Sequence, residues 1–274
     1  MGMVGSFGVS WIRRRILDGE RLSGAWLSLG SPIAAEIAGG VGFDWLLFDL
    51  EHGTSEFSDL LHQLQAVAAF PVGSIVRVAD IDAAGFKRVL DLGPQGLMVP
   101  NVRDAEEAMR CVRCARVPPL GTRGAASSTR ASGYGMGYES YLREVNGNLA
   151  IMAQIESAAG VENAAEIAAV DGIDVLFVGP TDLSIDLGTE ADRPRGRFRE
   201  AVQAIAQAAL RNGKAAGVLV RNEEQAGDYL ELGFTVIALG SDRGLIASGM
   251  RHNVRALRNV AAVVGRAIVP DGSV

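Results

Sequence analysis

The apolar positions of this chain fall into two patterns that take turns. Short unbroken apolar runs alternate with longer stretches in which apolar residues recur every three or four positions. An unbroken run suits a strand buried on both faces, and the three-to-four spacing suits an amphipathic helix. The runs predict strands at 24–29, 44–49, 74–78, 96–100, 150–155, 174–178, 215–220 and 235–239. The amphipathic stretches predict helices at 10–20, 32–39, 56–69, 81–91, 104–115, 160–169, 197–212 and 222–232, then one long terminal helix from Ser241 to Val264. Ser31 before Pro32 marks one start, because serine accepts from a free helical N–H and proline fits the first turn.

Strand and helix units in strict alternation predict a parallel sheet with right-handed crossovers, closed as an α/β (β/α)8 TIM barrel. An N-terminal helix and the long C-terminal helix flank it, and residues 1–274 read as one barrel domain. The competing open, doubly wound sheet often carries a glycine-rich phosphate loop after its first strand. Here that strand ends in Leu29-Gly30-Ser31-Pro32, which is no such loop. The unit between the fourth and fifth strands is oversized. Its segment 118–148 is rich in glycine, serine and arginine, with a short extra helix expected at 138–145. Such an insertion usually serves function or an interface.

Composition narrows the setting. Apolar residues make up 48% and charged residues 21%, enough for a large core. The net charge of −6 and the lack of a dominant basic patch argue against nucleic acid as a partner. No apolar run approaches the ~20 residues of a membrane span. Met1 to Ser10 lacks the features of a signal peptide, so a cytoplasmic protein is expected. Cys111 and Cys114 form a C-x-x-C near a helix C-terminus, where the dipole does not favour thiolate, and there is no second pair. They read as ordinary reduced thiols. Arg13-Arg14-Arg15 reads as a solvated face, and His62 lies on a helix flank.

In such a barrel, residues just past the strand C-termini converge on one mouth. There the chain places Asp49, Glu51 and His52, then Arg77, Gln154 and Glu156, and finally Gly179, Thr181 and Asp182. Asp49 and His52 are three apart, so a turn can let the carboxylate orient the imidazole. Glu156 and Asp182 follow neighbouring strands, and a carboxylate pair suits a hard cation such as Mg2+ or Mn2+. Gln154, two residues before Glu156, faces the same way. The Gly179-Pro180-Thr181-Asp182 turn offers backbone N–H groups to a carboxylate. Arg77 suits an oxoacid oxygen or developing enolate, with an ion pair to Asp49 or Glu51 as the alternative. Carbonyl activation by a lysine Schiff base is the other route, and neither lysine fits it. Lys87 lies mid-helix and Lys214 lies at the opposite end of the barrel.

These residues resemble the HpcH/HpaI aldolase family of metal-dependent class II pyruvate aldolases. The likeness runs from about Gly24 to Ile246. It includes Phe48-Asp49-Leu50-Glu51-His52-Gly53, Val76-Arg77, Gly121-Thr122-Arg123-Gly124, Gln154-Ile155-Glu156 and Gly179-Pro180-Thr181-Asp182-Leu183-Ser184. The resemblance implies reversible cleavage of a 4-hydroxy-2-oxo acid into pyruvate and an aldehyde. It implies Glu156 and Asp182 as ligands of a divalent cation (Mg2+, Mn2+ or Co2+) and His52 with Asp49 as the proton-transfer pair. Arg77 would sit at the keto oxygen, the Thr181 and Asp182 amides at the carboxylate, and Glu51 behind them in support. A homo-hexamer, a trimer of dimers that exchange their last helices, is implied too. Leu50 and Thr181 stand where many members carry other residues, which leaves the aldehyde open. Arg123 and Arg130, in the long insertion, read first as part of a solvated interface loop, with reach to a neighbouring subunit's substrate as the other reading. Two rival classes remain: a CoA-thioester lyase of the citramalyl or malyl type, and a noncatalytic oxoacid-binding barrel.

Overall fold

The computed structural model describes residues 11–189 and 196–264. The expected helix start at Ser10 and the leading stretch 1–10 lie outside them. Eight parallel strands pair in sequence order and close, the first against the last. They are β1 (Leu22–Leu27), β2 (Trp45–Asp49), β3 (Gly73–Arg77), β4 (Gly96–Val99), β5 (Ala150–Ile155), β6 (Val175–Val178), β7 (Ala215–Val220) and β8 (Val236–Ser241). Around them run α1 (Trp11–Leu17), α2 (Pro32–Gly40), α3 (Phe57–Ala66), α4 (Ala83–Asp91), α5 (Ala105–Ala115) and α6 (Tyr138–Asn148). There follow α7 (Ala158–Glu162), α8 (Ala164–Ala169), α9 (Pro180–Asp186), α10 (Gly196–Arg211), α11 (Glu223–Glu231) and α12 (Asp242–Val264). Among the described residues no helix is long and apolar enough to cross a membrane.

Strand residues alternate between two apolar layers, as a period of two requires. Trp45 and Leu47 point into the barrel with Trp26, Ile75, Met98, Met152, Val175 and Phe177. Leu46 and Phe48 point outward, into the layer between sheet and helices. Inside, Phe177 meets Trp26 at 5.7 Å and Trp45 edge-on at 6.1 Å, so aromatic rings plug the barrel. Room for the plug comes from Gly24, where a Cβ would fall 2.2 Å from Trp45 Cε2.

The lower end is closed by α1, whose Ile12 and Ile16 join the interior cluster. Here the expectation of a solvated arginine face needs correction. Arg13 donates to both oxygens of the buried Asp174 at 2.9–3.1 Å, and Arg15 to Glu20 and Asp44 at 2.7 and 2.8 Å. Only Arg14 is largely free in water. Asp174 and Asp44, distant in sequence from α1, cannot be read from a local pattern.

Three further differences have simple causes. The first strand starts two residues earlier than expected and its end becomes a turn at Gly30, with φ +68°. The helix expected at 160–169 is broken at Asn163, which closes α7 and starts α8 while its side chain donates to Arg103 O at 2.9 Å. The short α9, with Pro180 in its first turn, is seven residues long, too brief to show a period. Cys111 and Cys114 are free, and burial pushes the Cys111 thiol up to about 12, in keeping with inert thiols.

Replacing Gly24 by Ala should overfill the aromatic plug. We expect a loss of about 1–3 kcal/mol in unfolding free energy, read from the urea midpoint at unchanged slope.

Candidate active site

The inward parity of the strands decides which side chains reach the mouth. Asp49 continues the inward series of Trp45 and Leu47, and Arg77 that of Ile75. Gln154 and Glu156 continue from Met152, and Gly179 from Phe177. All five are therefore delivered to one opening, and Asp49, Arg77, Gln154 and Glu156 are buried there.

Asp49 is the hub of this opening. Its Oδ1 accepts from Arg77 Nε at 3.0 Å and from the backbone N–H groups of Glu51 and His52 at 3.0 and 3.2 Å. Its Oδ2 accepts from Arg77 Nη2 at 2.6 Å and Trp26 Nε1 at 3.2 Å. Burial pushes the Asp49 carboxyl up, but the paired guanidinium and the two amides outweigh it, and the net shift is downward. The expected contact between the Asp49 carboxylate and the His52 ring is not made. Asp49 binds the His52 peptide instead, and the carboxylate beside the ring is Glu51, with Oε1 3.8 Å from Nε2. The reason is competition: a bidentate arginine fork satisfies a buried carboxylate better than an imidazole at the rim. The ion pair left open as an alternative for Arg77 is thus the geometry found.

Glu51 sits between charges of both signs. Arg77 Nη1 lies 2.8 Å from its Oε2, yet out of line for a hydrogen bond. Burial raises the Glu51 carboxyl against the pull of Arg77 and His52. His52 itself stands at the rim, with its side chain 67% exposed.

Across the mouth, Glu156 Oε1 accepts from Asn101 N at 2.9 Å and Oε2 from Gln154 Nε2 at 2.6 Å. Asn101 holds this amide in place from the left-handed region, at φ +48°, where asparagine is among the few tolerated residues. Burial, then the charges of Glu51 and Asp182, raise the Glu156 carboxyl to about 7. Gly179 lets the carboxylate stand there, since a Cβ would lie 2.3 Å from Glu156 Oε2. Thr181 and Asp182 lie in the first turn of α9, where backbone N–H groups have no acceptor within the helix.

Three carboxylates whose charges push on one another, with Arg77 the cation near them, make a site that favours a bound cation. Gln154 Oε1 is buried there without a donor. Among the described residues no three histidine, cysteine or acidic side chains converge closely enough to enclose an ion. A pair of carboxylates, such as Glu156 and Asp182, could hold one only with positions left open.

Arg123 and Arg130 do not fit the expectation of reaching outward. Arg123 is buried and donates to Tyr141 Oη at 2.8 Å. Arg130 donates to Leu92 O at 2.5 Å and Leu64 O at 3.2 Å. Arg123 ties the insertion to itself, and Arg130 ties it to the barrel's own elements. The residue that the sequence reading missed is Arg243, at the start of α12, which donates to His52 O at 3.3 Å. No local pattern could have signalled it, because the partners are 191 positions apart.

A closed parallel barrel with a buried arginine, a rim histidine and crowded carboxylates at one mouth is the architecture of an α/β-barrel enzyme. Residues 22–248 match the family described as HpcH/HpaI aldolase/citrate lyase, and the chain belongs to that family of carbon–carbon lyases. It is 41% identical over 244 residues to the hydroxypyruvate/pyruvate aldolase of Delftia acidovorans, covering 89% of this chain and 90% of that one. It is 39% identical over 226 residues to the 4-hydroxy-2-oxo-heptane-1,7-dioate aldolase of Klebsiella pneumoniae, covering 82% and 85%. A crystal structure of an HpcH/HpaI aldolase/citrate lyase family protein from Burkholderia cenocepacia superposes with a TM-score of 0.86 at 36% identity, covering 90% of this chain and 98% of the other.

Removing one member of a buried ion pair strands the other. Asp49→Asn should cost about 3–5 kcal/mol at neutral pH, read by chemical denaturation. Because the folded carboxyl lies below its ordinary value of 3.8, the ionised pair stabilises fully above that value. That contribution fades as pH falls through the lower folded value, so the gap between parent and Asp49→Asn should narrow in acid.

Proposed function

We propose that this chain catalyses the reversible aldol cleavage of a 4-hydroxy-2-oxo acid into a 2-oxo acid, pyruvate or hydroxypyruvate, and an aldehyde. The observation that carries the reading is the crowding of Glu51, Glu156 and Asp182 beside Arg77, with His52 open at the rim. Relatives named as aldolases of pyruvate, hydroxypyruvate and 4-hydroxy-2-oxo-heptane-1,7-dioate support it.

Glu156 and Asp182 would hold a divalent cation, Mg2+, Mn2+ or Co2+, with Gln154 beside it. When bound, such a cation polarises the keto and carboxylate oxygens of the oxo acid. The remaining work falls to the side chains and amides. The N–H groups of Thr181 and Asp182 take the substrate carboxylate. Arg77, held by Asp49, keeps its Nη1 edge toward the mouth and donates to the keto oxygen as charge grows there. His52 takes the proton of the C4 hydroxyl. The electron pair of the C3–C4 bond moves into the C2–C3 bond as the aldehyde leaves, and the negative charge settles on the keto oxygen near Arg77. Return of the proton to C3 completes the oxo acid. Glu51, between Arg77 and His52, favours the protonated imidazole that forms in passing. No lysine takes part: Lys87 is in the middle of α4, and Lys214 immediately precedes β7 at the far end.

We also read the protein as a cytoplasmic homo-oligomer, a hexamer assembled as a trimer of dimers with exchanged terminal helices. The exposed Leu245, Ile246, Met250 and Leu257 of α12 support assembly of copies.

The test is pyruvate release from a panel of 4-hydroxy-2-oxo acids, before and after metal removal. We expect release that disappears with chelator and returns with Mg2+, Mn2+ or Co2+. Activity that survives thorough metal removal would overturn the cation assignment. His52→Ala should lower kcat by about 10²–10⁴-fold, and turnover at the parental rate would remove His52 from the mechanism. Glu156→Gln should weaken Mn2+ binding measured by calorimetry, a readout independent of turnover.

A further inference from the structure

The His52 side chain is 67% exposed, and among the described residues its ring has no hydrogen bond to another side chain: the nearest carboxylate, Glu51, is 3.8 Å away. The direction of the imidazole therefore depends on how its peptide is held. One side is fixed by Asp49, which accepts the His52 N–H at 3.2 Å. The other side is fixed by Arg243 of α12, whose Nη1 donates to His52 O at 3.3 Å. The same guanidinium donates through Nη2 to Ser28 O at 2.7 Å. Ser28 O also accepts from Thr54 N at 3.0 Å, so the loops after β1 and β2 meet at this carbonyl.

Arg243 is seated in turn by its neighbour. Asp242 is buried, and its carboxylate accepts from Ser28 N at 3.0 and 3.1 Å, Ser28 Oγ at 3.1 Å and Leu29 N at 3.0 Å. It also accepts from Arg243 N at 2.8 Å. The first turn of α12 is thus bolted to the end of β1, and from that base one side chain crosses to the His52 peptide. Beyond this turn α12 shows apolar side chains to solvent, among them Met250 and Leu257. A helix needed only to cover the barrel has no use for an arginine spanning two carbonyls of other loops.

We propose that Arg243, seated by Asp242, is a positioning residue for His52, fixing the peptide that carries the imidazole over the mouth. The inference rests on His52 as the proton carrier of the aldol reaction. A purely structural Arg243 would tie α12 to the barrel and leave the chemistry alone. The two roles differ in what they move. Misplacing a proton carrier lowers kcat while substrate binding, which uses other groups, is kept.

The experiment compares the full-length parent with Arg243→Ala and Arg243→Lys. It reads kcat and KM for cleavage of a 4-hydroxy-2-oxo acid. It also reads the rate at which diethyl pyrocarbonate modifies His52, followed by mass spectrometry of the peptide that carries it. For Arg243→Ala we expect kcat to fall about tenfold to a hundredfold, the loss typical of small misplacements remote from the chemistry. KM should stay within about twofold, and His52 should be modified severalfold faster. Arg243→Lys should recover part of both, since one ammonium cannot span both carbonyls as the planar fork does. An unchanged modification rate in Arg243→Ala overturns the proposal whatever the turnover, and so does an unchanged kcat. If the parent itself releases no pyruvate, the aldol reading fails on its own, and the modification rate still decides whether Arg243 holds His52.

Discussion

Two charges taken out of water at the top of a barrel must satisfy one another, and the rest of this site follows from how Asp49 and Arg77 do so. Each would be costly alone in a buried setting. Together they form a two-pronged pair at 2.6 and 3.0 Å, with Trp26 and two backbone amides filling the remaining acceptor positions of the carboxylate. The pair shapes the turn that carries Glu51 and His52, and it turns the remaining guanidinium nitrogen, Arg77 Nη1, to within 2.8 Å of Glu51. Across the mouth, burial and the charges of Glu51 and Asp182 raise the Glu156 carboxyl. One interaction therefore sets how charges of both signs are arranged around the opening.

Much of this was legible in the sequence, because two simple periods carry most of the fold. Short, mostly apolar runs marked all eight strands, and the residues at and just past their ends marked the mouth without reference to tertiary contacts. What could not be read was the choice among equivalent partners. Asp49 stood within reach of both His52 and Arg77, and only the inward direction of both strand-end side chains, adjacent in register on β2 and β3, selects the arginine. Contacts between distant stretches were equally hidden. Arg13 with Asp174, and Arg243 with His52, involve ordinary surface-type residues whose meaning comes from where the chain returns. The insertion misled for a related reason. Its arginines have the composition of an outward-reaching loop, but Tyr141 and the carbonyls of Leu64 and Leu92 draw them in.

The two ends of the barrel divide their tasks by chemistry. The lower end is shut by α1 and its arginine locks, and the middle is filled by Trp26, Trp45 and Phe177. Gln154 Oε1 and Glu51 Oε2, buried without hydrogen-bond partners, sit in the region where a cation and an oxo acid would supply what is lacking.

The inward alternation of the strands has one more consequence, for folding. Asp49, Arg77, Gln154 and Glu156 share the inward direction with the aromatic plug. A slip of any of these strands by a single residue would turn its polar side chain outward, into the dry layer of Leu46, Phe48 and Val76 under the helices, and would turn apolar neighbours inward to the mouth. The residues kept for chemistry therefore act as a register gauge: a barrel assembled one step out of place cannot bury them, and only the correctly threaded chain gives each one a partner.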